Sequence, residues 1–198
     1  MTDRPIIFSE PMVKALIAGR KTQTRRLCEP TTRIGYALGD RLYVREAFQG
    51  HSAYEAHGYK PSDWGNKPIW YCADGEPDPL YSASIRKRPS IHMPRWASRL
   101  TLTVTDVRVQ RLNDISEADA WAEGCRPGEM NDLGNPFPAD EPDPSGIGER
   151  GWDCAGDWFA DLCNTIHGPS AWDANPWVVA ISFDVRRGNI DMTPAVPA

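Results

Sequence analysis

The run RLTLTVTDVRVQRL, residues 99–112, limits the architecture more than any other segment. Leu100, Leu102 and Val104 alternate with threonines, and after Asp106 the alternation resumes out of phase at Val107 and Val109. A period of two sends successive side chains to opposite faces of a strand, whereas a helix repeats its apolar positions every three or four residues. The segment therefore reads as one long strand with a bulge, or as two strand segments. A chain containing it is built on a sheet.

The remaining elements are short. PIIF (5–8) is a strand candidate, and Ser9 is placed to cap a helix whose first turn contains Pro11. Met12, Val13, Leu16 and Ile17 form its apolar stripe, and Gly19 ends it. GDRLYVREAF (39–48) reads as a turn and a strand, with Leu42, Val44, Glu46 and Phe48 on one face. Glu46 thus stands in line with inward positions and needs a cationic or donor partner. IWYCA (69–73) is another strand. DISEADAWAEG (114–124) is a short helix with Ser116 as N-cap, Asp119 three residues on and Gly124 closing it. Residues 151–168 form a longer helix with Trp158, Phe159, Leu162 and Ile166 on its apolar side, and 176–186 a closing strand. Segments 50–68 and 126–150 read as insertions without regular structure over their length, and 188–198 as a disordered tail.

These elements give an α+β chain of one domain, residues 1–198, with a small mixed or antiparallel barrel favoured over a doubly wound sheet. No dinucleotide fingerprint, P-loop or zincin motif is present, so the sequence supports neither a nucleotide cofactor nor a catalytic metal. The five cysteines have no zinc or redox spacing and read as free thiols. Without an export signal or an apolar run of membrane length, the chain reads as cytoplasmic, with no membrane partner.

Net charge is −5, but its distribution is uneven: residues 1–111 carry 18 Lys and Arg against 11 acids, or +7, and residues 112–198 carry 4 against 16, or −12. Such a split fits a basic face that attracts phosphates, or two segments that neutralise each other internally. The densest basic stretch is AGRKTQTRR, residues 18–26, just where the first helix stops. Arg20 and Lys21 suit the negative end of the helix dipole, but that does not account for Thr24, Arg25 or Arg26.

The order of AGRKTQTRR, GDRLYVREAF, MPRWASRLTLTVTDVRVQRL and DISEADAWAEG resembles the ASCH domain, a small β-barrel of the PUA-like superfamily, and most of all the ASCH proteins of bacteriophage and prophage genomes. The match covers roughly residues 5–125 plus the last helix and strand, with both insertions outside it. The resemblance implies a domain associated with RNA, modified bases or nucleosides. One branch consists of small amidohydrolases that remove the acetyl group from N4-acetylcytidine with a Lys-x-x-Thr and a Glu. The matching positions are Lys21, Thr24 and Glu123. This chain is much longer than those enzymes, and its match around Glu123 is loose.

Amide hydrolysis needs an activated nucleophile and an acid for the leaving amine. Neighbouring cations favour a neutral lysine, and a Thr–Lys pair is a variant of triad chemistry. Lys21, Thr24 and Glu123 are thus the catalytic candidates. Arg20, Arg25, Arg26, Arg45, Glu46 and Trp96 are candidates for substrate binding, Trp96 as a stacking surface for a base. A binding module for RNA or a modified base, using residues 18–26 and 85–99 on phosphates, and a ribonuclease with a basic cleft are the alternatives. The expected partner is a modified nucleoside, a short RNA or another single-stranded nucleic acid.

Overall fold

A computed structural model of the protein describes residues 1–29, 34–50, 59–65, 68–75, 86–130, 132–139 and 151–192. The fold is mixed α+β, and among the described residues no barrel closes. The chain divides into two compact units, Met1–Ile17 with Gly39–Val104 and Asp184–Ala198, and Ala18–Leu38 with Thr105–Phe183.

In the first unit, β1 (Asp3–Ile7) runs parallel to β3 (Arg41–Arg45), and β3 is antiparallel to β7 (Leu100–Arg111), with Leu42 opposite Leu102. Helix α1 (Glu10–Ile17) begins at Ser9, whose carbonyl accepts from the Val13 amide at 2.9 Å, and it buries Val13, Ala15 and Leu16. The inward face expected of residues 39–48 is present: Leu42, Val44, Glu46 and Phe48 are all buried. The strand is interrupted at Glu46, and β4 (Phe48–Gly50) pairs instead with β5 (Ile69–Tyr71) and β6 (Arg86–Arg88). Gly50 is required there, since a Cβ would lie 2.0 Å from the buried Trp64 ring.

Two expectations for this unit change. Of the expected tail 188–198, the segment 188–192 is not loose, and residues 193–198 lie outside the described residues. The Gly188 amide donates to the Arg99 carbonyl, Asn189 Nδ2 donates to the carbonyls of Arg95, Trp96 and Ser98, and Ile190 is fully buried. One amide side chain and one apolar plug hold the segment, a signal too small to stand out in a Pro-containing stretch. Trp64, inside the expected insertion 50–68, belongs to a core cluster with Phe48, Met93 and Ala97. Residues 51–58 and 66–67 of that insertion lie outside the described residues.

In the second unit, β2 (Gln23–Leu27) is antiparallel to β10 (Trp177–Arg187), with Thr24 opposite Ile181. Strand β7 is continuous, and its inward alternation holds to Val104 and fades after Asp106, leaving Val109 38% exposed. Helix α2 (Glu117–Ala122) starts as expected, with the Ser116 hydroxyl accepting from the Asp119 amide at 3.1 Å, and Gly124 beyond it has φ +108°. Helix α3 (Ala155–His167) is tied to α2 by Glu117, whose carboxylate accepts from the Ala155 and Gly156 amides at its first turn. Its buried residues are Ala155, Phe159 and Cys163, whereas Ile166 is 59% exposed. Trp158 and Leu162 pack partly buried against the same cluster, as expected, and only Ile166 departs from the expected apolar side, with Ala155 and Cys163 filling places in the cluster. The stretch after residue 125 contains a hairpin, β8 (Arg126–Met130) and β9 (Pro136–Ala139), where a structureless insertion is expected. Its prolines sit beside a register shift, where a missing N–H is tolerated. Residues 140–150, the most acidic part, lie outside the described residues.

Candidate functional site

In the second unit, two cations, from β2 and from just ahead of it, converge on one carboxylate. Glu123 is the C-cap residue of α2, and its backbone forms an isolated antiparallel bridge with Lys21. Lys21 Nζ donates to Glu123 Oε2 at 2.7 Å and to the Glu123 carbonyl at 2.7 Å. The ammonium thus meets both a side chain and the negative end of a short helix. Arg25 Nη1 donates to Glu123 Oε1 at 2.9 Å, so two cations share one carboxylate. Lys21 is 1% exposed and Glu123 3%, so the pair is out of water.

Arg25 reaches further. Its Nη1 also donates to Gln23 Oε1 at 2.6 Å and its Nη2 to Asp119 Oδ2 at 3.1 Å, while its guanidinium lies 5.6 Å from the centre of the Phe159 ring. Its Nε is buried without an acceptor. Asp119 also accepts from Gln23 and from Arg108, and the arginine and glutamine hydrogen bonds hold its carboxyl below the usual range against the opposing effect of burial.

Burial dominates the titration of Lys21 and lowers its proton affinity from the ordinary value; Glu123 opposes this, and Arg26 and Arg25 add to it. Arg26 is itself lowered by burial, opposed by Tyr36 and Glu123. Within β2, alternation sends Thr24 and Arg26 to the face opposite Gln23 and Arg25. Lys21 lies just ahead of the strand and is acted on by arginines of both faces. Thr24 is buried at 3% and lies opposite Ile181 of β10.

Arg20 is half-buried and donates to the Gly124 carbonyl at 2.9 Å. Arg45, Glu46 and Trp96 belong to the first unit. Arg45 donates to the carbonyls of Met93 and Ile91. Glu46 is 1% exposed and held by Arg99 through two bonds, Nε to Oε1 at 2.9 Å and Nη2 to Oε2 at 3.0 Å. Burial nevertheless pushes the Glu46 carboxyl up, against the pull of Arg99. Arg99 lies 3.9 Å over the Tyr71 ring and also donates to Asp74. Trp96 packs partly buried against the Phe48 cluster, with its indole N–H buried and without an acceptor. Asp119 and Gln23 are the members of the Glu123 network that the sequence does not single out. The spacing of Asp119 from Ser116 signals only the cap, which its backbone fulfils.

Among the described residues, no group of three His, Cys, Asp or Glu side chains could hold a metal ion, and no helix is long and apolar enough to cross a membrane. All five cysteines are free. No protein-family model and no curated protein matches the chain. Among solved structures it is similar to the crystal structure of protein EF3133 from Enterococcus faecalis V583, family model DUF984. The two are 12% identical, with 96% of this chain and 78% of that chain covered and a TM-score of 0.44. Likeness at this level is too low to transfer a fold or a function.

Proposed function

We propose that the protein is an amidohydrolase that removes an acyl group from the exocyclic amine of a modified nucleoside or base such as N4-acetylcytidine, on a PUA-like fold of the ASCH type. The observation that carries this reading is the buried Lys21–Glu123 pair at 2.7 Å, formed by two residues that match the family's catalytic positions. An ion pair out of water gains little from its charges, because desolvating both is costly. Burial already weakens the hold of Lys21 on its proton, which favours its neutral amine form.

In the neutral state Lys21 is a base. It takes the proton of the Thr24 hydroxyl as the oxygen adds to the acyl carbon. The resulting ammonium then protonates the departing exocyclic nitrogen as the C–N bond breaks. Water, deprotonated by the same amine, then adds to the acyl carbon; the bond to the Thr24 oxygen breaks, that oxygen takes the proton from the ammonium, and the carboxylic acid leaves. The pairing of Arg20, Lys21 and Arg25 within the second unit favours a small ligand over a phosphate clamp on a polymer. A non-catalytic module for RNA or a modified base is the second reading, favoured by the exposed Arg86 on β6.

Deacetylation of N4-acetylcytidine, followed by absorbance or mass for wild type, Lys21→Ala and Thr24→Ala, tests the first reading. Turnover by the wild type and its loss in both folded variants is the expected result. No turnover on nucleoside or acetylated oligonucleotide, with steeply salt-dependent retention on single-stranded RNA, would move the assignment to the binding module.

A further inference from the structure

Arg25 stands between two carboxylates, one of which also holds Lys21. Its Nη1 is on Glu123 at 2.9 Å and its Nη2 on Asp119 at 3.1 Å. The guanidinium is nearly enclosed, with its position set by Gln23 on one side and the Phe159 ring on another. Arg25 stays charged under all ordinary conditions, so the only variable is how it is shared. We propose that Arg25 is a positioning residue that divides its hydrogen bonds between Glu123 and Asp119, so that Asp119 governs how much of Glu123 is left to Lys21. This rests on the amidohydrolase reading for its kinetic consequence, but not for its effect on Lys21.

The charged and titratable groups acting around Lys21 come from every element of that network. They are Glu123 and Asp119 from α2 and its cap, Arg25 and Arg26 from β2, Arg108 from β7, Cys163 from α3, and Tyr36 acting through Arg26. Cys163 is pushed up to about 12 by burial and stays a neutral thiol near neutral pH. Removing the charge of Arg25 leaves Glu123 to Lys21 alone, and the lysine holds its proton more firmly. Removing the charge of Asp119 turns Arg25 wholly toward Glu123, and the lysine releases its proton more readily. Direct through-space effects of the two charges have the same signs. The two substitutions therefore act in opposite directions, which a loss of packing would not produce.

The test measures two things on wild type, Arg25→Gln and Asp119→Asn. One is the pH dependence of N4-acetylcytidine turnover; the other is the Lys21 titration by NMR of protein carrying 15N-labelled lysine, assigned with Lys21→Met. Arg25→Gln should move both midpoints to higher pH and Asp119→Asn to lower pH, with about tenfold in rate for each pH unit on the acid limb. If Arg25→Gln does not fold, the sign of the Asp119→Asn displacement decides alone. Lys21 midpoints that stay in place or move the same way in both variants overturn the inference, whatever the turnover. Opposite NMR displacements without any turnover sustain it and overturn the amide reading instead.

Discussion

The two units contain the same arrangement of charge, and they differ in one cation. In the first, Arg99 is shared between buried Glu46 and the more exposed Asp74; in the second, Arg25 is shared between buried Glu123 and the more exposed Asp119. The difference is Lys21. Glu46 has both oxygens taken by one guanidinium, which does not deprotonate in a protein. Glu123 gives one oxygen to a guanidinium and the other to an ammonium whose proton affinity burial has already lowered. The two carboxylates are similarly deep, and what separates them is the ammonium beside Glu123.

The largest expected effect comes from removing that cation. Lys21→Met should lower N4-acetylcytidine turnover about 10²–10⁴-fold, the range of a lost general base, while the protein stays folded because Arg25 still accompanies Glu123. Retained turnover in that variant would make the second cluster as architectural as the first. Arg99→Ala strands Glu46 in the interior and should cost about 3–5 kcal/mol in urea unfolding. Arg99→Lys should recover only part of this, since an ammonium cannot reproduce the two-point grip. A loss below about 1 kcal/mol for Arg99→Ala would mean that Glu46 finds water, and the parallel between the clusters would fail.

Stability against pH sharpens the contrast, because the two buried groups act with opposite signs. The folded Lys21 binds its proton less firmly than the ordinary 10.5, so between its lowered value and 10.5 the unfolded chain holds more protons and stability rises with pH across that window. The folded Glu46 binds its proton more firmly than the ordinary 4.5, so stability falls as pH rises from 4.5 through its raised value. Urea midpoints across pH should show the alkaline rise abolished in Lys21→Met and the acid-side fall abolished in Glu46→Gln. The smallest effect belongs to Asp74→Asn: half-exposed, Asp74 should contribute only about 0.2–1 kcal/mol, and less in high salt.

Much of the framework was legible because it rests on local rules. The period of residues 99–112, the Ser9 and Ser116 starts and the inward line through Glu46 each depend on residues within a few positions of one another. What was hidden depends on distant partners. Arg25 looked like a free cation, yet its acids lie 94 and 98 residues away. Asp119 looked fully used as a capping residue, but its backbone does the capping and its side chain is left for Arg25. The hairpin at 126–139 was masked by prolines that mark loops elsewhere and are tolerated here beside a register shift. For Lys21 and Glu123 the sequence named the pair through the resemblance, and the fold supplies the hydrogen bond between them.

Glu123 is the residue on which α2 stops, and that makes the length of this helix part of the site's chemistry. One residue added or removed between Ser116 and Glu123 would turn the carboxylate by about 100° and slide it about 1.5 Å along the axis. Lys21 and Arg25 would lose their common partner, though every side chain of the site was still encoded. Selection on such a protein would weigh insertions and deletions in this single turn as severely as replacement of the lysine itself.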